Sequence, residues 1–255
     1  MNQTLRTLFV VLLCASARAN AQFEGLVESR NFTVDDNGVG QQFDMTIWVR
    51  RDMVKVRIPT VGDTPGSTVV YRHDRKLSWI FNDAEKTYFE VSQVDHGIGQ
   101  EHDQEPDKPQ IDRTKRTRQV LGYVCEQILL KRGESQTEIW GAKGLIDLAT
   151  RLDTLLGNAG GQPPGADTEL LRQLQLFPLV SVTKYGGKVI DSQEVTRIER
   201  RPLGEELFVI PPDYRKQSSP ESEGRDCTHW LFCLPVASLL HAGTSEPPTG
   251  VRMSV

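Results

Sequence analysis

Polar and apolar residues alternate most cleanly over Gln42 to Arg50, where Phe43, Met45, Ile47 and Val49 share one parity and Asp44, Thr46, Trp48 and Arg50 the other. A period of two predicts a strand with one buried and one wet face. Past Arg51-Asp52 the alternation resumes, with Val54, Val56 and Ile58 set against Lys55 and Arg57. Two such strands across a tight turn predict an antiparallel hairpin. Similar short units recur at Phe23 to Val34, Thr68 to Tyr71, Lys76 to Phe81 and Lys86 to Val91, separated by turn residues such as Asn82-Asp83-Ala84-Glu85. Regular spacing of short strands predicts an antiparallel meander. Arg113 to Gln119 and Tyr123 to Lys131, joined at Gly122, predict a second hairpin, and Leu179 to Tyr185 with Lys188 to Ile198, joined at Gly186-Gly187, a third.

One stretch breaks this period. After a short strand-like piece at Glu138 to Trp140, the residues Leu145, Leu148, Ala149, Leu152, Leu155 and Leu156 recur at helical spacing, and Gly157-Asn158 supplies a stop signal. Asp167 is placed to cap a second short helix with the stripe Leu170, Leu171, Leu174 and Phe177. A lone amphipathic helix among strands has to bury its stripe on a sheet, so the expected fold is mainly β (α+β): a curved antiparallel sheet with one or two helices over its concave face.

The N-terminus has a single basic residue, Arg6, an apolar run from Leu8 to Leu13, and small residues ending in Ala19-Asn20-Ala21. That is the layout of a signal peptide cleaved after Ala21. Acylation at Cys14 is the alternative, and Leu13 stands where lipoprotein signals have Gly, Ala or Ser. The run is too short to span a bilayer, and no other stretch is long enough, so the mature chain is expected to lack a transmembrane segment and to be soluble in the periplasm. The chain then divides into a signal peptide (1–21), one β-rich domain (22–216) and a flexible or disordered tail (217–255). Residues 93–112 are polar, acidic and proline-bearing, and are expected to form an exposed loop. A Cys227–Cys233 bridge is possible in an oxidising compartment, while Cys125 is expected to be a buried apolar side chain.

Of 255 residues, 38% are hydrophobic and 25% charged, with a formal net charge of −4. The acidic balance argues against nucleic acid as a partner. No glycine-rich phosphate loop, HExxH, GxSxG or Ser-x-x-Lys motif is present, so no catalytic residue and no cofactor is assigned. His96, Glu101, His102, Asp103, Glu105 and Asp107 crowd one loop, but a Gly- and Pro-rich loop fixes metal ligands poorly, and no metal site is expected. Arg113, Lys115, Arg116 and Arg118 could grip an anionic head group; a basic run on a strand is more often a wet or edge-protecting face. His73 beside Asp74 reads as a turn pair.

The segments FDMTIWVRRDMVKVRIP, SWIFNDAEKTYFEV, LGYVCEQ (Leu121 to Gln127), EIW (Glu138 to Trp140) and FVIPPDY (Phe208 to Tyr214) resemble the exported bacterial proteins of domain-of-unknown-function family 4412 (DUF4412), which are similar to periplasmic lipoprotein carriers of the LolA type. The likeness covers roughly Phe23 to Lys216. It implies a LolA-like half-barrel sheet with helices on its concave face and an apolar interior able to hold an acyl chain. The tail from Ser218 departs from it. The expected function is a non-catalytic periplasmic protein that shields a lipid, acyl chain or other hydrophobic small molecule, with envelope proteins as further partners. The rival is a structural or partner-binding envelope protein with a closed core. For the carrier, the cavity would be lined by Phe43, Met45, Ile47, Val54, Val56, Ile58, Trp79, Phe81, Trp140, Leu145, Leu148 and Leu152.

Overall fold

The computed structural model describes residues 22–35, 38–60, 65–92, 109–149, 152 and 166–217. Residues 1–21, the crowded acidic loop from His96 to Asp107, Leu155, Leu156 and the tail with Cys227 and Cys233 lie outside them.

The strands are β1 (Gly25–Val34), β2 (Gly40–Arg50), β3 (Met53–Ile58), β4 (Ser67–Arg72), β5 (Leu77–Asn82), β6 (Thr87–Ser92), β7 (Gln110–Val120), β8 (Tyr123–Arg132), β9 (Ser135–Ala142), β10 (Phe177–Tyr185), β11 (Lys188–Arg200) and β12 (Arg215–Lys216). They form one open sheet in the order β12-β6-β5-β4-β3-β2-β1-β11-β10-β9-β8-β7. Every pairing is antiparallel except the short β12–β6 contact. Two meanders, β1 to β6 and β7 to β11, are therefore joined where β11 pairs with β1. At that seam Gly25 has φ +153°, and a Cβ there would collide with the Glu199 carbonyl oxygen, so the close approach of β1 and β11 requires glycine.

The predicted hairpins form with boundaries shifted by a few residues. Gly186 and Gly187 both have positive φ (55° and 81°), as a two-residue turn matching the strand twist requires. The strand-like piece at Glu138 to Trp140 is longer than expected, because β9 is paired along both sides, to β8 and β10. β7 begins at Gln110, inside the stretch expected to be loop, and is exposed along nearly its whole length as an edge of the sheet. Its basic residues blunt that edge, and the ladder is interrupted between Arg113 and Thr117, where Lys115 has φ 61°.

The face carrying Phe43, Met45, Ile47 and Val49, here called inner, is covered by Leu145, Leu148 and Leu152, all at most 1% exposed. Residues 146–149 and 152 are helical, after a 3-10 turn at Lys143–Leu145. A short helix, Ala166–Gln173, precedes β10, and its Leu171 packs with Leu176 on Ile128, Leu130 and Ile139.

Part of the outer face, over β3 to β5, is buried too, by a cover the sequence pattern does not announce. The segment after β11 crosses it and packs Leu203 and Phe208 on Met53, Val70, Trp79 and Phe81. Arg72, 2% exposed, ties this strap down. Its Nη1 donates to the Phe208 carbonyl at 3.1 Å, its Nε and Nη2 donate to Asp74 at 2.9 and 2.7 Å, and its plane lies 5.8 Å from the Trp79 ring. Further along, the Tyr214 hydroxyl donates to Asp83 at 2.6 Å and Lys216 pairs with Glu90 at 2.7 Å.

Arg72→Ala should destabilise the fold by about 2–3 kcal/mol, since it removes charge-assisted hydrogen bonds and strands a buried carbonyl. The hydrogen bonds from Arg72 hold the Asp74 carboxyl below its usual value. Its contribution is therefore fully present above the unfolded carboxylate range and is lost as pH falls through the lower folded value. In urea titrations, the stability gap between the parent and Asp74→Asn should be widest above about pH 5 and shrink below about pH 4. A gap that does not change with pH would show that the pair does not tie the strap.

Candidate functional site

Nine of the twelve residues expected to line an apolar interior do meet on the inner face. Phe43, Met45, Ile47, Val54, Val56, Ile58, Leu145, Leu148 and Leu152 belong to a single cluster and are each at most 8% exposed. Adjacent strands stack these side chains in register: Ile47 opposes Val56, Val56 opposes Val69, and Val49 opposes Val54. Directly opposed residues share a face, so alternation on one strand is copied onto the next. From the other meander, Phe177, Leu179 and Val195 join the same cluster.

Trp140 is half-buried and packs against the cluster's margin. Its indole N–H donates to Glu138 at 2.7 Å, and the Arg118 guanidinium lies 4.3 Å from its ring. That polar clothing makes it a boundary residue.

Trp79 and Phe81 correct the expectation. They belong to the strap cluster on the opposite face. Trp79 opposes Val70 and Phe81 opposes Thr68, whereas the inner residues of β4 are Val69 and Tyr71. The run Leu77 to Phe81 has apolar residues at both parities, Ile80 on one side and Leu77, Trp79 and Phe81 on the other, so composition alone does not choose its face. Two-sided burial under the strap is the physical reason both parities are apolar.

The cluster's few ionisable groups stay uncharged near neutral pH. Burial pushes the Tyr71 phenol up to about 12. It also raises the Cys125 thiol, against the opposing pull of Arg118. Two ion pairs link the covering segment to the sheet at its exposed rim: Asp147 with Arg200 at 2.8 Å, and Lys143 with Glu126 at 2.5 Å.

Other arrangements offer less. A groove of about 430 Å³ runs beside Arg118 to Leu121 and Glu194 to Thr196, open to solvent and partly polar. His73 sits in a 3-10 turn with Asp74, whose carboxylate is engaged by Arg72. Among the described residues, no group of three or more His, Cys, Asp or Glu is placed to hold a metal ion. No described helix is long and apolar enough to cross a membrane.

Sequence reading missed a set of polar side chains on the inner face. Ser29, Asn31, Thr137, Ser181, Thr183 and Gln193 are all at most 5% exposed, and burial raises the Asp191 carboxyl to about 6. Polar residues on both parities of β11 gave no sign of which would be inside. Only strand register reveals it.

The family described as "Domain of unknown function (DUF4412)" matches residues 23–214. Three solved structures illustrate the structural likenesses. An uncharacterized conserved protein from Thermus thermophilus is 12% identical over 82% of this chain and 99% of its own, with a TM-score of 0.43. PNGF-II is 12% identical over 79% of this chain and 33% of its own, with a TM-score of 0.36. The LolA superfamily protein NE2245 from Nitrosomonas europaea is 10% identical over 79% of this chain and 96% of its own, with a TM-score of 0.32. At these values the likenesses carry no argument about ligand or activity. Among curated proteins, none matches.

In the folded protein Cys125 should resist alkylation by a maleimide, because the thiol is both fully buried and held protonated. Site-resolved mass spectrometry should find it modified only in denaturant. Rapid labelling under native conditions would mean that the β8 side of the cluster is open to solvent.

Proposed function

The chain belongs to the DUF4412 family, whose description names no activity, and from the geometry we propose that it is a non-catalytic periplasmic protein that shelters a lipid, an acyl chain or another hydrophobic small molecule. The observation that carries this reading is how the inner face is closed. One continuous apolar surface drawn from both meanders is capped at Leu145, Leu148 and Leu152, which are inserted side chains and not a paired strand. Removing such a cap from the sheet breaks apolar contacts and the two rim ion pairs, but no strand ladder. Exposed ion pairs of this kind are worth well under about 1 kcal/mol each, so they steer the cap more than they hold it.

An acyl chain entering the same surface would recover apolar contact at about 0.8 kcal/mol per methylene. A chain of about a dozen methylenes therefore competes with three leucines for the face. Export through the segment 1–21 would deliver the protein to the compartment where such ligands cross between membranes.

Protein purified from the exported fraction should release lipid on solvent extraction, and native mass spectrometry should show a ligand-bound species. The delipidated protein should bind the apolar dye N-phenyl-1-naphthylamine with enhanced fluorescence, and a long-chain lipid should displace it. Only apo protein over several preparations, together with no dye uptake, would overturn the reading in favour of a closed-core envelope protein.

A further inference from the structure

The buried polar residues of the inner face are not scattered. Asn31 opposes Gln193, and Gln193 opposes Ser181; one row along, Thr33 opposes Asp191, Asp191 opposes Thr183, and Thr183 opposes Thr137. Opposed residues share a face, and so do residues two apart on one strand. Four adjacent strands therefore present a compact polar patch. Apolar neighbours bound it on both sides. Asn31 also opposes Phe43 of the large cluster, and Ser181 opposes Ile139 beneath the short helix.

Some members of the patch satisfy one another. The Thr137 and Thr183 hydroxyls lie 3.1 Å apart, and the Asn31 amide donates to the Ser29 hydroxyl at 3.1 Å. Two do not: Ser181 Oγ and Gln193 Nε2, at 2% and 4% residue exposure, have no hydrogen-bond partner among the described residues. Buried polar atoms are almost always paired, and an unpaired donor beside an unpaired hydroxyl on adjacent strands burdens the fold. Asp191 adds an acceptor in the same rows. Burial raises its carboxyl to about 6, so it is a carboxylate at neutral pH.

Resting on the carrier reading, we propose that this patch receives the uncharged, hydrogen-bonding head group of an amphiphile of the acylglycerol class, whose acyl chain lies along the adjoining apolar cluster. Gln193 Nε2 donates to an ester or hydroxyl oxygen of the head, Ser181 Oγ accepts from or donates to a neighbouring oxygen, and the Asp191 carboxylate accepts from a free hydroxyl. A fatty acid head, being an anionic carboxylate, is disfavoured beside the Asp191 carboxylate.

The test titrates the full chain with 1-monooleoylglycerol, with oleate and with N-phenyl-1-naphthylamine, and repeats the titrations on Gln193→Leu and Ser181→Ala. The parent should bind monooleoylglycerol more tightly than oleate. Each variant should lower the ratio of monooleoylglycerol affinity to dye affinity about five- to tenfold, the worth of one buried hydrogen bond. Ser181→Ala should not melt below the parent, since it removes a buried hydroxyl that has no partner among the described residues. The proposal is overturned if oleate binds as tightly as monooleoylglycerol, or if the ratio is unchanged in both variants. In that case retained dye binding leaves the carrier reading standing. Loss of dye and both lipids in the parent sinks the two together.

Discussion

β1 is paired along its length on both sides, to β2 and to β11, and that double pairing turns two local meanders into one sheet. Every other long ladder joins strands that are neighbours in sequence or separated only by the leucine segment and short helix. The β1–β11 ladder alone brings residues near 25 beside residues near 200. Without it the large apolar cluster on the inner face could not draw on both halves of the chain, and Ser181, Gln193 and Asn31 would not share a row. Gly25 sits at the end of this ladder because the β11 backbone leaves no room for a side chain.

The two faces of the sheet are kept from water by different means. The outer strap is tied by a buried guanidinium that reaches both a carboxylate and a main-chain carbonyl, with aromatic residues stacked beneath. A charge buried in this way is committed, because losing either partner leaves it uncompensated. The inner cap is held by leucines and by ion pairs at the rim, contacts that can be replaced by other apolar atoms at little net cost. The asymmetry puts the exchangeable surface on the inner side. There too lie Ser181 Oγ and Gln193 Nε2, which no described residue satisfies, so a place where the fold tolerates local inconsistency coincides with the place a ligand would occupy.

Much of this was legible in the residues. The alternation of Phe43 to Val49 and Val54 to Ile58 foretold both the hairpin and its buried side, because a half-buried strand imposes period two directly on the sequence. The leucine spacing likewise foretold a covering helix, and Leu145, Leu148 and Leu152 are where it required them to be. Trp79 and Phe81 went to the wrong face because a strand buried on both sides loses its period. Their large side chains then read as interior without saying which interior.

The amino-acid pattern by itself determined that the chain is built of short antiparallel strands, with one leucine-rich segment to lay across them, since each of those facts is written in periods of two to four residues. Tertiary structure alone decided that a strap after β11 shields the second face, and that polar side chains from β1, β9, β10 and β11 line up inside. Both depend on register between strands far apart in sequence. A slip of one residue would turn every such side chain to the other face without altering the composition of any strand.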